Sequence, residues 1–142
     1  LQTFEGTCSK KGITFEVILT GQKLLVTGDM SKIQQVLYNL IDNAIKFSHN
    51  DSSIRIETSL KNEKVFVSVK DYGIGIPSDS VKKIWERFYK VDKSHCRTVP
   101  GTGLGLAIAK EIIRVHGASA EVTSKCGSGT TFEIKFPKDK VV

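Results

Sequence analysis

No apolar run in this sequence approaches the roughly 18 to 20 residues needed to span a bilayer, which predicts a soluble chain. Cysteine is scarce: Cys8, Cys96 and Cys126 are widely spaced and form neither a CxxC pair nor a metal-ligand pattern. Zinc sites and disulfide scaffolds are therefore set aside, and the thiols are expected to be reduced, as in a cytosolic protein. The formal charge of +6 is nowhere gathered into a block of five or six basic residues, so nucleic-acid binding is not expected. Only Lys90, Lys93, His95 and Arg97 form a partial cluster. No GxxxxGK[ST] loop is present, and the glycine-rich residues 101–105 do not follow a strand, which excludes a P-loop and a dinucleotide-binding βαβ unit. There is no internal repeat. No Met or charged-then-apolar leader opens the chain at Leu1, so the expectation is a piece of a longer protein without a secretory signal.

What is present is 142 residues, 39% hydrophobic, the size of one domain with one core. The stretch around which it is organised is residues 31–47, SKIQQVLYNLIDNAIKF. Ile33, Val36, Leu37, Leu40, Ile41 and Ala44 recur at spacings of three and four, so a helix gathers them into one apolar stripe. Gln35, Asn39, Asn43 and Lys46 recur at the same spacings about half a turn away. A solvated helix back would also be polar, but interior Asn is disfavoured in helices relative to Glu, Lys or Arg. Two Asn residues four apart with a Lys beyond them point to amide groups aimed at an anion or a bound metal.

Around this helix the sequence predicts short strands. Residues 13–19 and 24–27 read as two strands joined by a turn, and residues 54–60 and 65–69 as a hairpin turning at 61–63. The hairpin runs into residues 71–77, DYGIGIP. Asp71, at the end of a buried strand, is placed to accept from an amine, and two glycines just after it let a flat ligand approach the main chain. A turn requiring Asp-x-Gly would look the same. Residues 78–87 read as a helix capped by Ser78, with Val81, Ile84, Trp85 and Phe88 at core spacing. Residues 89–100 are polar, cationic and aperiodic, as a functional lid or a disordered segment is. Residues 101–105, GTGLG, then open a helix ending at His116-Gly117, and such a helix start exposes backbone N–H groups that suit a phosphate. Close packing of helix on sheet would explain the glycines equally well. A final hairpin turns at residues 126–129, with Phe132, Ile134 and Phe136 on its buried side.

Taken in this order the segments resemble four boxes of bacterial sensor histidine kinases: residues 38–48 (YNLIDNAIKFS) the N box, 71–77 the G1 box, 84–91 (IWERFYKV) the F box and 101–113 (GTGLGLAIAKEII) the G2 box. The resemblance covers nearly the whole chain and implies the catalytic and ATP-binding domain of the GHKL superfamily. The implied fold is an α/β (α+β) two-layer sandwich, a mixed sheet of about five strands with about three helices on one face and a mobile lid. Residues 1–142 would form this single domain, with 1–11 a remnant of an upstream connection, 89–101 the ATP lid and 138–142 a tail.

The resemblance also implies roles. Asn39 matches the Mg2+-contacting Asn, with Asn43 beside it along the phosphates and Lys46 neutralising charge. Phe47 lies where the family often has an aromatic near the base, Asp71 would accept the adenine amine, and Gly73, Gly75 and Ile76 would line the ring. Gly101, Thr102, Gly103, Leu104 and Gly105 would bind the phosphate tail, with Arg87, Lys90 or Arg97 closing over it. Asn39, Lys46 and Lys90 are the expected catalytic residues. The implied reaction is Mg2+-assisted transfer of the ATP γ-phosphoryl group to a histidine. Relatives that hydrolyse ATP carry a Glu one turn before the metal Asn. Gln35 stands there, and an amide takes no proton from water at neutral pH. His49, His95 and His116 lie in no acceptor context, so the acceptor is expected on a separate dimerisation domain of the same full-length protein. That parent would be a homodimer anchored in the bacterial membrane, this domain cytoplasmic, its downstream partner a response regulator. The alternatives are a protein-serine kinase on the same fold and a module that binds nucleotide without chemistry.

Overall fold

The computed structural model describes residues 11–19, 29–78, 80–86 and 105–137. In chain order these form β1 (Thr14–Ile18), α1 (Met30–Phe47), β2 (Ser53–Lys61), β3 (Lys64–Asp71), α2 (Gly105–Val115), β4 (Ser119–Lys125) and β5 (Gly129–Pro137). The five strands make one mixed sheet of order β1-β2-β3-β5-β4. β1 runs parallel to β2 and the other neighbours are antiparallel. The two-layer α/β architecture expected from the sequence is therefore present, with two α-helices among the described residues in place of three.

Each element forms for a local reason. In α1 the apolar stripe buries Val36, Leu40, Ile41, Ala44 and Ile45, with Ile33 and Leu37 half-buried at its rim. Burying a side chain the size of Leu40 contributes about 1.5 to 3 kcal/mol. Asp29 caps the helix, its Oδ1 accepting from the Lys32 N–H at 3.2 Å. At the other end the Ile45 carbonyl accepts from the Ser48 N–H at 3.2 Å and from Lys11 Nζ at 2.8 Å. β2 and β3 join through a two-residue loop, Asn62-Glu63, both at positive φ, as in the tight turns that match strand twist. In β5, buried Phe132, Ile134 and Phe136 alternate with half-buried Thr131, Glu133 and Lys135, which sets the register of this interior strand against the helices.

The sheet supplies Ile54, Val65, Val69 and the β5 residues to a core whose other half is α1 together with Ala109 and Ile113 of α2. α1 and α2 pack antiparallel, joined near both ends. At one end the Asp29 N–H donates to His116 Nε2 at 3.0 Å, while His116 Nδ1 lies 2.8 Å from the Ile112 carbonyl. A carbonyl can only accept and an N–H only donate, so in this pairing Nδ1 donates and Nε2 accepts. At the other end Asn39 meets Gly105.

Two expectations need correction, and a third falls outside the described residues. Residues 78–86, as far as they are described, form a succession of turns in place of a helix, started from the Pro77 carbonyl, which accepts from Ser80 N–H at 2.9 Å. Among the described residues, the Ile84 N–H to Ser80 carbonyl bond has helical i to i−4 spacing, while Lys83 and Glu86 bond at i to i−3. A segment this short gains little from helical continuity, and Ile84 and Trp85 reach the core regardless, the indole standing edge-on to Phe132 at 5.6 Å between centroids. β1 pairs with β2, and the strand expected at 24–27 lies outside the described residues. Cys126 is disulfide-bonded, not a free thiol, because sequence spacing does not report which chain segments meet.

Candidate functional site

α1 carries one end of the site and touches the other. Asn39 donates through Nδ2 to the Gly105 carbonyl, 3.0 Å away, at the first residue of α2. Because only the amide nitrogen can donate to a carbonyl, the side chain's orientation is fixed and Oδ1 is left as a neutral acceptor beside the helix start. Eight residues on, about 12 Å along the axis, the Phe47 carbonyl accepts from the Ile74 N–H at 3.0 Å. The helix thus spans from the start of α2 to the loop that follows β3.

That loop is built on Asp71, the last residue of β3 and 1% exposed. Its Oδ1 accepts from the N–H groups of Gly73 at 3.0 Å and Thr130 at 3.2 Å, and Oδ2 receives no hydrogen bond from the described residues. Burial pushes the carboxyl up from its ordinary 3.8 to about 6, and the two N–H bonds pull the other way without cancelling it. The result is a buried acceptor with one satisfied oxygen and one bare one.

The glycines nearby answer to the main chain more than to any ligand. A Cβ on Gly73 would overlap the Phe47 carbonyl, and one on Gly75 the Lys125 carbonyl, with Gly75 also at φ +77. Their identity is fixed by backbone packed against backbone. Phe47 and Ile76, expected beside the base, are 8% and 1% exposed and belong to the hydrophobic core. Asn43 is half-buried with no hydrogen-bond partner among the described residues, while Lys46 is exposed and paired with Asp42 at 2.8 Å. Gly105 is at the site through its carbonyl. Arg87, Lys90, Arg97, Gly101, Thr102, Gly103 and Leu104 lie outside the described residues.

Sequence reasoning missed three participants. Thr130 supplies one of the two donors to Asp71, Ser124 accepts from the Ile76 N–H at 2.7 Å, and Asp42 holds Lys46. Ser124 and Thr130 looked like ordinary strand residues. Their available signal was a hydroxyl next to a glycine turn, on buried Thr130 and half-buried Ser124.

Comparisons with known proteins bear on the family and the fold. Residues 28–140 match the family described as histidine kinase-, DNA gyrase B-, and HSP90-like ATPase. The chain is 40% identical over 122 residues to the signal transduction histidine-protein kinase ArlS of Staphylococcus aureus (strain USA300), a match covering 86% of this chain and 27% of ArlS. It therefore spans well under half of that relative's length. Among solved structures, the mycobacterial sensor histidine kinase MprB superposes with a TM-score of 0.84 at 28% identity, covering 99% of this chain and 93% of MprB. Full-length ShkA in complex with AMPPNP superposes at 0.83 with 25% identity, covering 99% of this chain and 29% of ShkA. The chain belongs to the histidine kinase-, DNA gyrase B- and HSP90-like ATPase family, alongside the catalytic domains of sensor histidine kinases.

Proposed function

We propose that this chain is the ATP-binding catalytic domain of a two-component sensor histidine kinase, transferring the γ-phosphoryl group of ATP to a histidine on a separate dimerisation domain. One observation carries the reading: a single helix brings Asn39 to the start of α2 and its C-terminal end to the loop over Asp71. A nucleotide laid along α1 would have its base at the bare oxygen of Asp71 and its phosphates between Asn39, Asn43 and the α2 N-terminus. The AMPPNP complex of ShkA supports an adenine nucleotide as the ligand.

Asp71 accepts the adenine amine. Asn43, without a hydrogen-bond partner among the described residues, donates to phosphate, and Lys46 turns from Asp42 to the phosphates, an exchange that gives up only a weak surface pair. The residues fit Mg2+. Asn39 Oδ1 is a hard, neutral oxygen donor left free by the Gly105 bond, and no cluster of three His, Cys, Asp or Glu able to hold a metal occurs among the described residues. The ion would arrive with the nucleotide's own oxygens and, when bound, neutralise charge on the transferring group. Gly101, Thr102, Gly103 and Leu104, with Arg87 and Lys90, complete the phosphate site by resemblance to the family's boxes. The histidine-bearing dimerisation domain and the membrane anchor would lie in other parts of a homodimeric parent, with a response regulator as its separate downstream partner; the matched portion of ArlS, 27% of its length, leaves room for such parts.

The test is phosphotransfer from γ-labelled ATP and Mg2+ to a separately supplied dimerisation domain from the parent protein. Acid-labile label on that domain's histidine, with none on the isolated chain, is the expected result. Acid-stable label on a serine, or stable phosphohistidine on this chain alone, would overturn it.

A further inference from the structure

Ser124 lies on β4, separated from β3 by β5, yet its hydroxyl stands at a three-way junction. The Ile76 N–H donates to Ser124 Oγ at 2.7 Å, Thr130 Oγ1 lies at 2.7 Å and the Gly129 carbonyl at 3.0 Å. A hydroxyl offers one proton and two lone pairs. The carbonyl can only accept, so it takes the Ser124 proton. The Ile76 N–H occupies one lone pair, and the other is left for the Thr130 O–H. All three bonds coexist in that one arrangement, which uses the group's full capacity and leaves nothing to offer a ligand.

What the junction joins is the pair of arms that hold Asp71. One arm is the loop after β3, whose Gly73 N–H donates to Asp71 Oδ1 and whose Ile76 N–H is tied to Ser124. The other is Thr130, directly opposite Asp71 in the β3–β5 register, whose N–H donates to the same oxygen and whose side chain is tied to Ser124. Further stitches run alongside: the Gly127 N–H donates to the Ile74 carbonyl at 2.8 Å, and Gly129 backs directly onto the Asp71 main chain. Ser124 is the side chain at which the two arms meet.

We infer that Ser124 is a positioning residue of the base pocket: by bracing both donors to Asp71 Oδ1 it fixes the direction of the free oxygen, Oδ2, and with it the affinity for a 6-amino purine. This rests on the reading that Asp71 meets the base. It predicts an effect confined to one end of the nucleotide, because Asn39 and Gly105 are tied to each other and not to Ser124.

The experiment is calorimetric titration of the 142-residue chain with two partial ligands, adenosine and Mg2+-tripolyphosphate. Ser124→Ala is expected to weaken adenosine roughly tenfold, the loss of about one charge-assisted hydrogen bond's alignment, and to leave tripolyphosphate within about twofold. Ser124→Thr, which keeps the hydroxyl, restores adenosine. Thr130→Val cuts one arm while leaving the Ile76 N–H satisfied, so it tests the inference even where the alanine variant does not fold, and it moves the same ligand in the same direction. The double variant loses no more than the larger single, because both act through one bond. Adenosine binding unchanged in both single variants overturns the inference, as does equal loss of both ligands, which would mark a merely structural serine. A wild-type chain that binds tripolyphosphate and ignores adenosine would instead overturn the base reading itself.

Discussion

Asp71→Asn separates what this residue does for the fold from what it does for the ligand. The native carboxyl titrates near 6 against an ordinary 3.8, so the folded state favours its protonated form. A raised pKa means stability that is full below about pH 4 and lost as the pH climbs through about 6. A shift of that size corresponds to about 3 kcal/mol forgone at neutral pH, at 1.36 kcal/mol per pH unit. Asparagine is nearly isosteric and neutral throughout. Its Oδ1 can keep the bonds from Gly73 and Thr130, and its Nδ2 takes the place of the bare oxygen. The variant should therefore be more stable than the native chain by up to about 3 kcal/mol at about pH 8, and equal to it near pH 4. Urea unfolding followed by the single Trp85, packed on Phe132, reads this directly. The same variant should lose adenosine, because an amide N–H now faces the amine's N–H. A variant less stable at about pH 8, or a difference that ignores pH, would refute the argument that burial of the charge dominates.

Three further outcomes follow from the same geometry. Native affinity for adenosine should fall as the pH is lowered through about 6, since the acceptor is then protonated, and titration at a series of pH values checks it. Gly73→Ala should lower stability by about 1 to 3 kcal/mol, because its new methyl meets the Phe47 carbonyl; an unchanged urea midpoint would show that this loop can move away. Gln35→Glu, one turn before Asn39, should raise basal ATP hydrolysis roughly tenfold or more by supplying a base for water, measured as phosphate release. If the rate stays flat, Gln35 is not what spares the nucleotide.

The readable parts of this protein were those in which one element's periodicity sufficed. The apolar stripe of α1, the alternation of Phe132, Ile134 and Phe136, the β2–β3 and β4–β5 hairpins and the placement of Asp71 at a strand end all follow from local pattern. The segment at 78–86 misled because its apolar spacing is helical while its hydrogen bonds are those of turns, and core contact with Ile84 and Trp85 satisfies the spacing either way. Gly73 and Gly75 were read as room for a ring, and the structure adds a second demand on them, since other backbone lies where a Cβ would stand.

The sequence alone settled which residue types were on hand, on which face of which helix or strand each would stand, and, through the order of four short boxes, the family. Only the tertiary structure decided that Asn39 is oriented by a carbonyl 66 residues away, that Asp71 takes a bond from Thr130 59 residues on, and that Ser124 ties the loop after β3 to Thr130. The reason is physical. Side-chain periodicity is set within a few residues by helix and strand geometry, whereas a hydrogen bond between distant segments exists only once the sheet register and the helix packing have brought its donor and acceptor to the same place.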